Sequence, residues 1–243
     1  MHPILFEVFE SLPRQGPGDH ATTARALELC PSLPDAPRVL DLGCGAGAQT
    51  LDLLSLTRGT VTAVDAHAPF IERLRRRAAE RGVAERVDAR VADMTRLDPQ
   101  PHDLVWSEGA LYNLGLARAL DLCATQLVPG GTLAFTDAVW RSDNPPDEVR
   151  TAFADYTTMG HPDDVLALLD ARGWSTVAHF HVPEHAWWTD FYTPMEARID
   201  ELRRKHASDA EALAALDALA EEPRMRHRHA AHYGYAFFVA TRP

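Results

Sequence analysis

The 243-residue chain predicts an open α/β fold: a mostly parallel sheet with helices on both faces, an antiparallel end and a helical cap. Three observations predict it. Between residues 38 and 137, short apolar runs alternate with longer helical patterns, as right-handed crossovers between parallel strands require. A glycine-rich turn, Gly43-Cys44-Gly45-Ala46-Gly47, joins the first of those runs to the helix after it. Beyond residue 140 the rhythm changes, and two late strand patterns flank a long helical stretch.

Residues 38–42 form a short apolar strand, followed by helix over 48–56. Residues 59–65 are rich in β-branched side chains and read as a second strand. Pro69 opens a helix that Gly82 closes. Strands are expected over 86–91 and 102–107, then a helix over 116–127. The turn Pro129-Gly130-Gly131 leads into a strand over 132–137. Asn144-Pro145-Pro146 breaks the chain, 147–158 reads as helix, and Pro162 starts a helix ending at Arg172-Gly173. Residues 174–181 alternate like a strand, 194–231 are helical, and 233–240 form the last strand. The expected organisation is one domain over 1–243, with an N-terminal helical segment (1–35) and cap insertions at 141–160 and 184–231.

Composition narrows the function. There are 24 Lys+Arg against 35 Asp+Glu, a formal net charge of -11. That balance excludes a binder of bare phosphate backbone, whose affinity comes from basic residues displacing counterions. A hydrophobic content of 46% excludes wholesale disorder. Cys30, Cys44 and Cys123 are scattered and odd in number, so no disulfide framework is expected. The first ten residues lack the basic region of a signal peptide, and no apolar run is long enough to span a membrane. A cytoplasmic protein is expected, with neither nucleic acid nor membrane as partner; a homodimer is compatible with all of this. The histidine groups 227/229/232 and 179/181/185 show no spacing completed by a carboxylate, so no metal is expected.

The glycine loop has supporting context. Asp65 ends the second strand, where a carboxylate can accept the hydroxyls of a ribose lying across the strand ends. Asp93 follows the third strand, beside Met94. The loop spacing is G-x-G-x-G rather than the G-x-G-x-x-G of dinucleotide binders. Asp41, just before the glycines, would repel a pyrophosphate and suits a ligand bearing an ammonium group.

On these residues the chain resembles the class I S-adenosylmethionine-dependent methyltransferases, well over residues 36–140 and more loosely in the late strands. The resemblance implies a Rossmann-like seven-stranded sheet of order 3-2-1-4-5-7-6 with strand 7 antiparallel. It implies S-adenosylmethionine as methyl donor and S-adenosylhomocysteine as product. Gly43, Cys44, Gly45 and Gly47 would hold the methionine part, with Asp41 near its amino group and Cys44 a small loop filler. Asp65 and Ala66 would meet the ribose, Asp93 and Met94 the adenine, and Ser107 would border the donor. The segment Trp106-Ser107-Glu108-Gly109-Ala110-Leu111-Tyr112-Asn113 further resembles a subgroup of bacterial small-molecule methyltransferases, carrying a SEGAxYN motif.

In an open parallel sheet, ligands bind beyond the carboxyl ends of the strands. Glu108 is therefore expected beside the donor, as a base for a protonated nucleophile or as a holder of a cationic amine. Tyr112, Asn113, Trp140, Trp188 and Tyr192 are the candidate acceptor contacts, aromatic faces being suited to cations. The segment Arg14-Gln15-Gly16-Pro17-Gly18-Asp19, with Asp19 as N-cap of the next helix, is expected to fold over the donor. The leading function is direct in-line methyl transfer to an N or O atom of a small metabolite. The alternatives are a catalytically silent S-adenosylmethionine-binding module and a nicotinamide-dependent oxidoreductase.

Overall fold

The structure, a computed structural model, describes residues 3–156 and 159–242. Seven strands make one sheet: β1 (Arg38–Leu42), β2 (Thr60–Asp65), β3 (Val87–Val91), β4 (His102–Glu108), β5 (Leu127–Trp140), β6 (Ser175–His181) and β7 (Tyr233–Thr241). Their order is β3-β2-β1-β4-β5-β7-β6. The first five run parallel; β7 pairs antiparallel with both β5 and β6. The expected order and the antiparallel seventh strand are both present.

Helices α1 (Pro3–Phe9) and α2 (His20–Glu28) precede the sheet, and α3 (Ala48–Leu56), α4 (Ala68–Glu80) and α5 (Leu116–Thr125) are its crossovers. They are followed by α6 (Asp147–Ala152), α7 (Pro162–Ala171), α8 (His185–Trp187), α9 (Thr193–Lys205) and α10 (Ala210–His229). Asp19 caps α2, its Oδ1 accepting from the Thr22 N–H at 2.7 Å.

Three departures from the sequence reading have local causes. The Pro129-Gly130-Gly131 turn lies inside β5, where His102 pairs with Leu127 but Leu104 with Thr132, and Gly130 at φ +74° absorbs the extra residues as a bulge. The helix expected over 147–158 ends at Ala152; Thr157 and Thr158 lie outside the described residues. The helix expected over 194–231 is two helices, because Asp209 accepts from the N–H groups of Glu211 and Ala212 (3.1 and 3.0 Å) and starts α10 afresh.

The sheet buries both faces. Leu54, Ile71, Leu74, Trp106 and Phe237 pack on one side, and Leu120, Phe135, Leu169 and Phe238 on the other. A third apolar cluster joins α1 to the late helices through Val8, Leu12, Trp187, Met195, Leu216 and Tyr233. It holds the N-terminal segment and α10 together at the carboxyl ends of β1, β2 and β4, where both border one cavity.

Candidate active site

The turn after β1 carries positive φ at Gly43 (+70°) and Gly45 (+53°), a backbone region that costs a side chain dearly. Space forbids a side chain too: a Cβ on Gly43 would stand 2.3 Å from the Ala110 Cβ, and one on Gly45 2.7 Å from Gln15 Oε1. Every amide from Gly43 to Gly47 is already spent. Gly43 and Cys44 donate to Val64 O, Gly45 to Asp65 Oδ2 (2.9 Å), Ala46 to Gln15 Oε1 (2.8 Å) and Gly47 to Cys44 O. A pyrophosphate needs free N–H donors at such a loop. This loop offers it none from these five residues.

Asp65 uses its two oxygens to fix the loop (Gly45 N–H) and the start of α4 (His67 N–H, 2.8 Å), and its side chain borders the cavity with Ala66. Asp93 is exposed at the mouth, where bonds from the Thr95 N–H and hydroxyl hold its carboxyl below the usual range. Phe70, Ala92 and Met94 supply apolar walls between the two acids. Asp41 lies behind the loop, fully buried, accepting from Thr50 Oγ1 (2.5 Å) and Gln49 Nε2 (3.3 Å). Burial pushes its carboxyl up to about 7. Burial likewise holds the Cys44 thiol well above its ordinary value.

Residues 9–17 form a strap across the loop. Gln15 ties it from both sides, accepting from Ala46 and donating to Phe9 O and Leu12 O (both 3.1 Å). Arg73 on α4 donates to Leu12 O at 2.6 Å. Arg14 is buried and bonds Glu108 Oε2 (2.7 Å) and Asp52 Oδ2 (2.8 Å). Burial opposes the Arg14 charge, but Glu108 and Asp52 more than offset it and raise its pKa. Glu108 Oε1 also accepts from Thr23 Oγ1 (3.0 Å) and Trp106 Nε1 (2.9 Å). Both Glu108 oxygens are thus engaged within the protein.

One cavity of about 920 Å³ runs from the glycine loop to the cap, at the upper end of the roughly 300–1,000 Å³ typical of small-molecule sites. The far end is walled by Tyr112, Trp187, Tyr192, Tyr233 and Tyr235, with Glu148, Glu221, Glu222 and Arg228 among them. Arg226, fully buried behind this wall, lies 4.0 Å from the Trp187 ring centre, donates to Tyr233 O at 2.7 Å and pairs with Glu184.

The structure brings Gly43, Cys44, Gly45, Asp65, Ala66, Asp93, Met94, Glu108, Tyr112, Asn113 and Tyr192 to this cavity. Five expected residues stand outside its lining. Asp41 supports the loop from beneath. Gly47 caps α3 against Leu74. Ser107 donates to Leu42 O at 2.8 Å. Trp140 donates to Met159 O at 3.1 Å. Trp188 donates to Glu184 (2.9 Å) and lies on the His227 ring, centres 3.9 Å apart. Sequence reasoning did not single out Glu222, Tyr233 or Tyr235. Among the described residues, no cluster of three or more His, Cys, Asp or Glu could hold a metal, and no helix is long and apolar enough to cross a membrane.

Comparison with known proteins agrees with this geometry. Residues 39–131 match the methyltransferase-domain family. Escherichia coli YjhP, an uncharacterised protein, is 29% identical over 75% of this chain and 76% of its own. Dimethylglycine N-methyltransferase of Parasynechococcus marenigrum is 32% identical over 48% of this chain, which spans only 42% of that enzyme. The fold superposes on an S-adenosylmethionine-dependent methyltransferase from Geobacter sulfurreducens, crystallised with S-adenosylhomocysteine, at a TM-score of 0.86, 21% identity and coverage of 100% and 99%. Residues 39–131 match the methyltransferase-domain family model, and the chain shares its fold with solved S-adenosylmethionine-dependent methyltransferases.

Proposed function

We propose that the protein transfers a methyl group from S-adenosylmethionine to an N or O atom of a small-molecule metabolite. The observation that carries this reading is a single cavity with two chemically different ends. One end has the glycine turn, the strand-end acids Asp65 and Asp93 and an apolar wall; the other has aromatic rings and carboxylates. The residues at the first end fit a cationic nucleoside. The loop's amides are spent internally, which disfavours a pyrophosphate, and the acids facing the cavity favour a positive charge.

In this reading Asp65 takes the ribose hydroxyls, Asp93 the adenine amino group, and Ala66 and Met94 flank the nucleoside. Gly43, Cys44 and Gly45 shape the seat of the methionine part, while Asp41 and Gly47 act from beneath by fixing the turn. The bound donor supplies a carbon already attached to a good leaving group, so alignment is the protein's main task. Tyr112, Asn113 and Tyr192 border the acceptor, and Glu108, by anchoring Arg14, holds the strap that shuts water out. The acidic chain and the deep cavity suit a small acceptor better than nucleic acid.

The test is a metabolite extract incubated with methyl-labelled S-adenosylmethionine and read by mass spectrometry. A labelled small molecule that depends on the protein is expected. Calorimetric binding of S-adenosylhomocysteine with no labelled product from any extract would instead favour a silent binding module, and binding of NAD in its place would overturn the reading.

A further inference from the structure

The acceptor end of the cavity has an unbalanced charge. Its titratable walls come from α6 (Glu148), α10 (Glu221, Glu222, Arg228) and four tyrosines, Tyr112, Tyr192, Tyr233 and Tyr235. Arg228 is committed: it bonds Glu148 and lies 3.8 Å from Glu221. Glu148 also accepts from His229 (2.9 Å), and Glu221 from Arg224 (2.6 Å). Glu222 is an exposed residue on the cavity wall and has no hydrogen bond or ion pair among the described residues.

Its neighbours are aromatic. Burial raises the phenols of Tyr192, Tyr233 and Tyr235, and the Glu222 charge adds to the rise in all three, with Arg226 opposing it at Tyr192 and Tyr233. The Tyr235 ring stands against Gly109, at the inner end of β4, with its ring edge 3.3 Å from where a Gly109 Cβ would be. Tyr235 also meets Trp187 edge-on, centres 5.1 Å apart. The Tyr233 hydroxyl and the Trp187 N–H are buried without hydrogen-bond partners among the described residues. A carboxylate on an aromatic wall, with no cation of its own, is free to pair with a cation that a ligand brings. Aromatic faces add attraction for the same charge.

We infer that the methyl acceptor is an amine that enters as an ammonium on an apolar body, its charge met by Glu222 and its hydrocarbon part lying against Tyr192, Tyr233, Tyr235 and Trp187. This rests on the methyltransferase reading above for which end is the acceptor end. For transfer, the ammonium gives one proton to the Glu222 carboxylate, and from there to water. The freed nitrogen lone pair forms the N–C bond as the C–S bond breaks, its electron pair staying on sulfur as the neutral thioether.

The test is calorimetric titration of the full chain with S-adenosylhomocysteine bound, using 2-phenylethylammonium, tetramethylammonium and the neutral 2-phenylethanol as probes. At least one cation is expected to bind tenfold or more tightly than the alcohol. Glu222→Gln should reduce that preference to threefold or less while keeping its S-adenosylhomocysteine affinity, which also shows the variant is folded. Equal binding of alcohol and amine, or an unchanged preference in the variant, overturns the inference. If S-adenosylhomocysteine does not bind at all, the methyltransferase reading fails on that result. The cation-against-alcohol contrast is then read without it and still decides what the Glu222 end accepts.

Discussion

Glu108→Gln separates an anchoring role from a chemical one. In the native protein Arg14 is 4% exposed and holds two carboxylates, Glu108 at 2.7 Å and Asp52 at 2.8 Å. Removing one partner of a buried pair costs about 3–5 kcal/mol when the remaining charge is left alone. Here Asp52 stays, and the glutamine oxygen still accepts from Arg14, so the expected loss is at the low end, about 2–3 kcal/mol. For a chain of this size that is roughly a 4–12 °C fall in melting temperature. Urea denaturation measures it, and Arg14→Met supplies the control. The double variant should lose less than the sum of the singles, because both remove the same contact. Residues 14–17 line the cavity, so S-adenosylhomocysteine affinity should fall as well. An unchanged denaturation midpoint together with lost turnover would refute the anchoring role and restore Glu108 as the group acting at the reacting atoms.

The remaining expectations concern the loop, the cap and pH. Asp65→Ala should weaken S-adenosylhomocysteine binding by about 1–3 kcal/mol, through lost partners for ligand hydroxyls; unaltered calorimetric affinity would count against the ribose assignment. Gly43→Ala should destabilise by about 2 kcal/mol or more, since it adds a side chain at φ +70° and sets its Cβ 2.3 Å from that of Ala110; a native-like urea midpoint would contradict it. Arg226→Met should cost about 1–3 kcal/mol by leaving the Tyr233 carbonyl without its donor and Trp187 without its cation, and a midpoint within error of the wild type would remove Arg226 as a brace of the wall. Asp41 has a folded pKa near 7 against 3.8 ordinarily. A raised carboxyl destabilises the fold once it must ionise, so stability is kept below about pH 4 and lost as pH rises to about 7. The full loss is about 4 kcal/mol. Asp41→Asn should flatten that part of the stability profile, and an identical slope in both proteins would remove Asp41 as its source.

The sheet was legible in the sequence because its signals are local. β1 and α3 fall at the expected bounds, since a short apolar run ending at a glycine turn permits little else. The cofactor end of the cavity is legible for the same reason: Gly43, Asp65 and Asp93 each terminate a strand and so land side by side. Charge placement within that end was less legible. Asp41 looked like a ligand contact from its place before the loop, yet β1 is a central strand and its carboxylate points into the packing with α3, where Thr50 and Gln49 already meet it. The break at Asp209 was hidden because Ser208-Asp209 sits between two stretches that are each good helix formers.

The acceptor end resists the sequence because its walls come from distant segments. Tyr112, Trp187, Glu222 and Tyr235 follow β4, precede α9, sit in α10 and lie on β7, and only the sheet order makes them neighbours. Glu221 and Glu222 are adjacent and chemically identical, but they differ by about 100° around the helix axis. The first reaches Arg224 and Arg228, while the second lies beside the buried stripe of Leu219, Pro223 and Arg226. That stripe was the available signal: an acid three residues after a buried leucine and four before a buried arginine stands at the edge of the packed face. Glu222 is exposed there and, among the described residues, unpaired, so its charge is open to a ligand in the cavity.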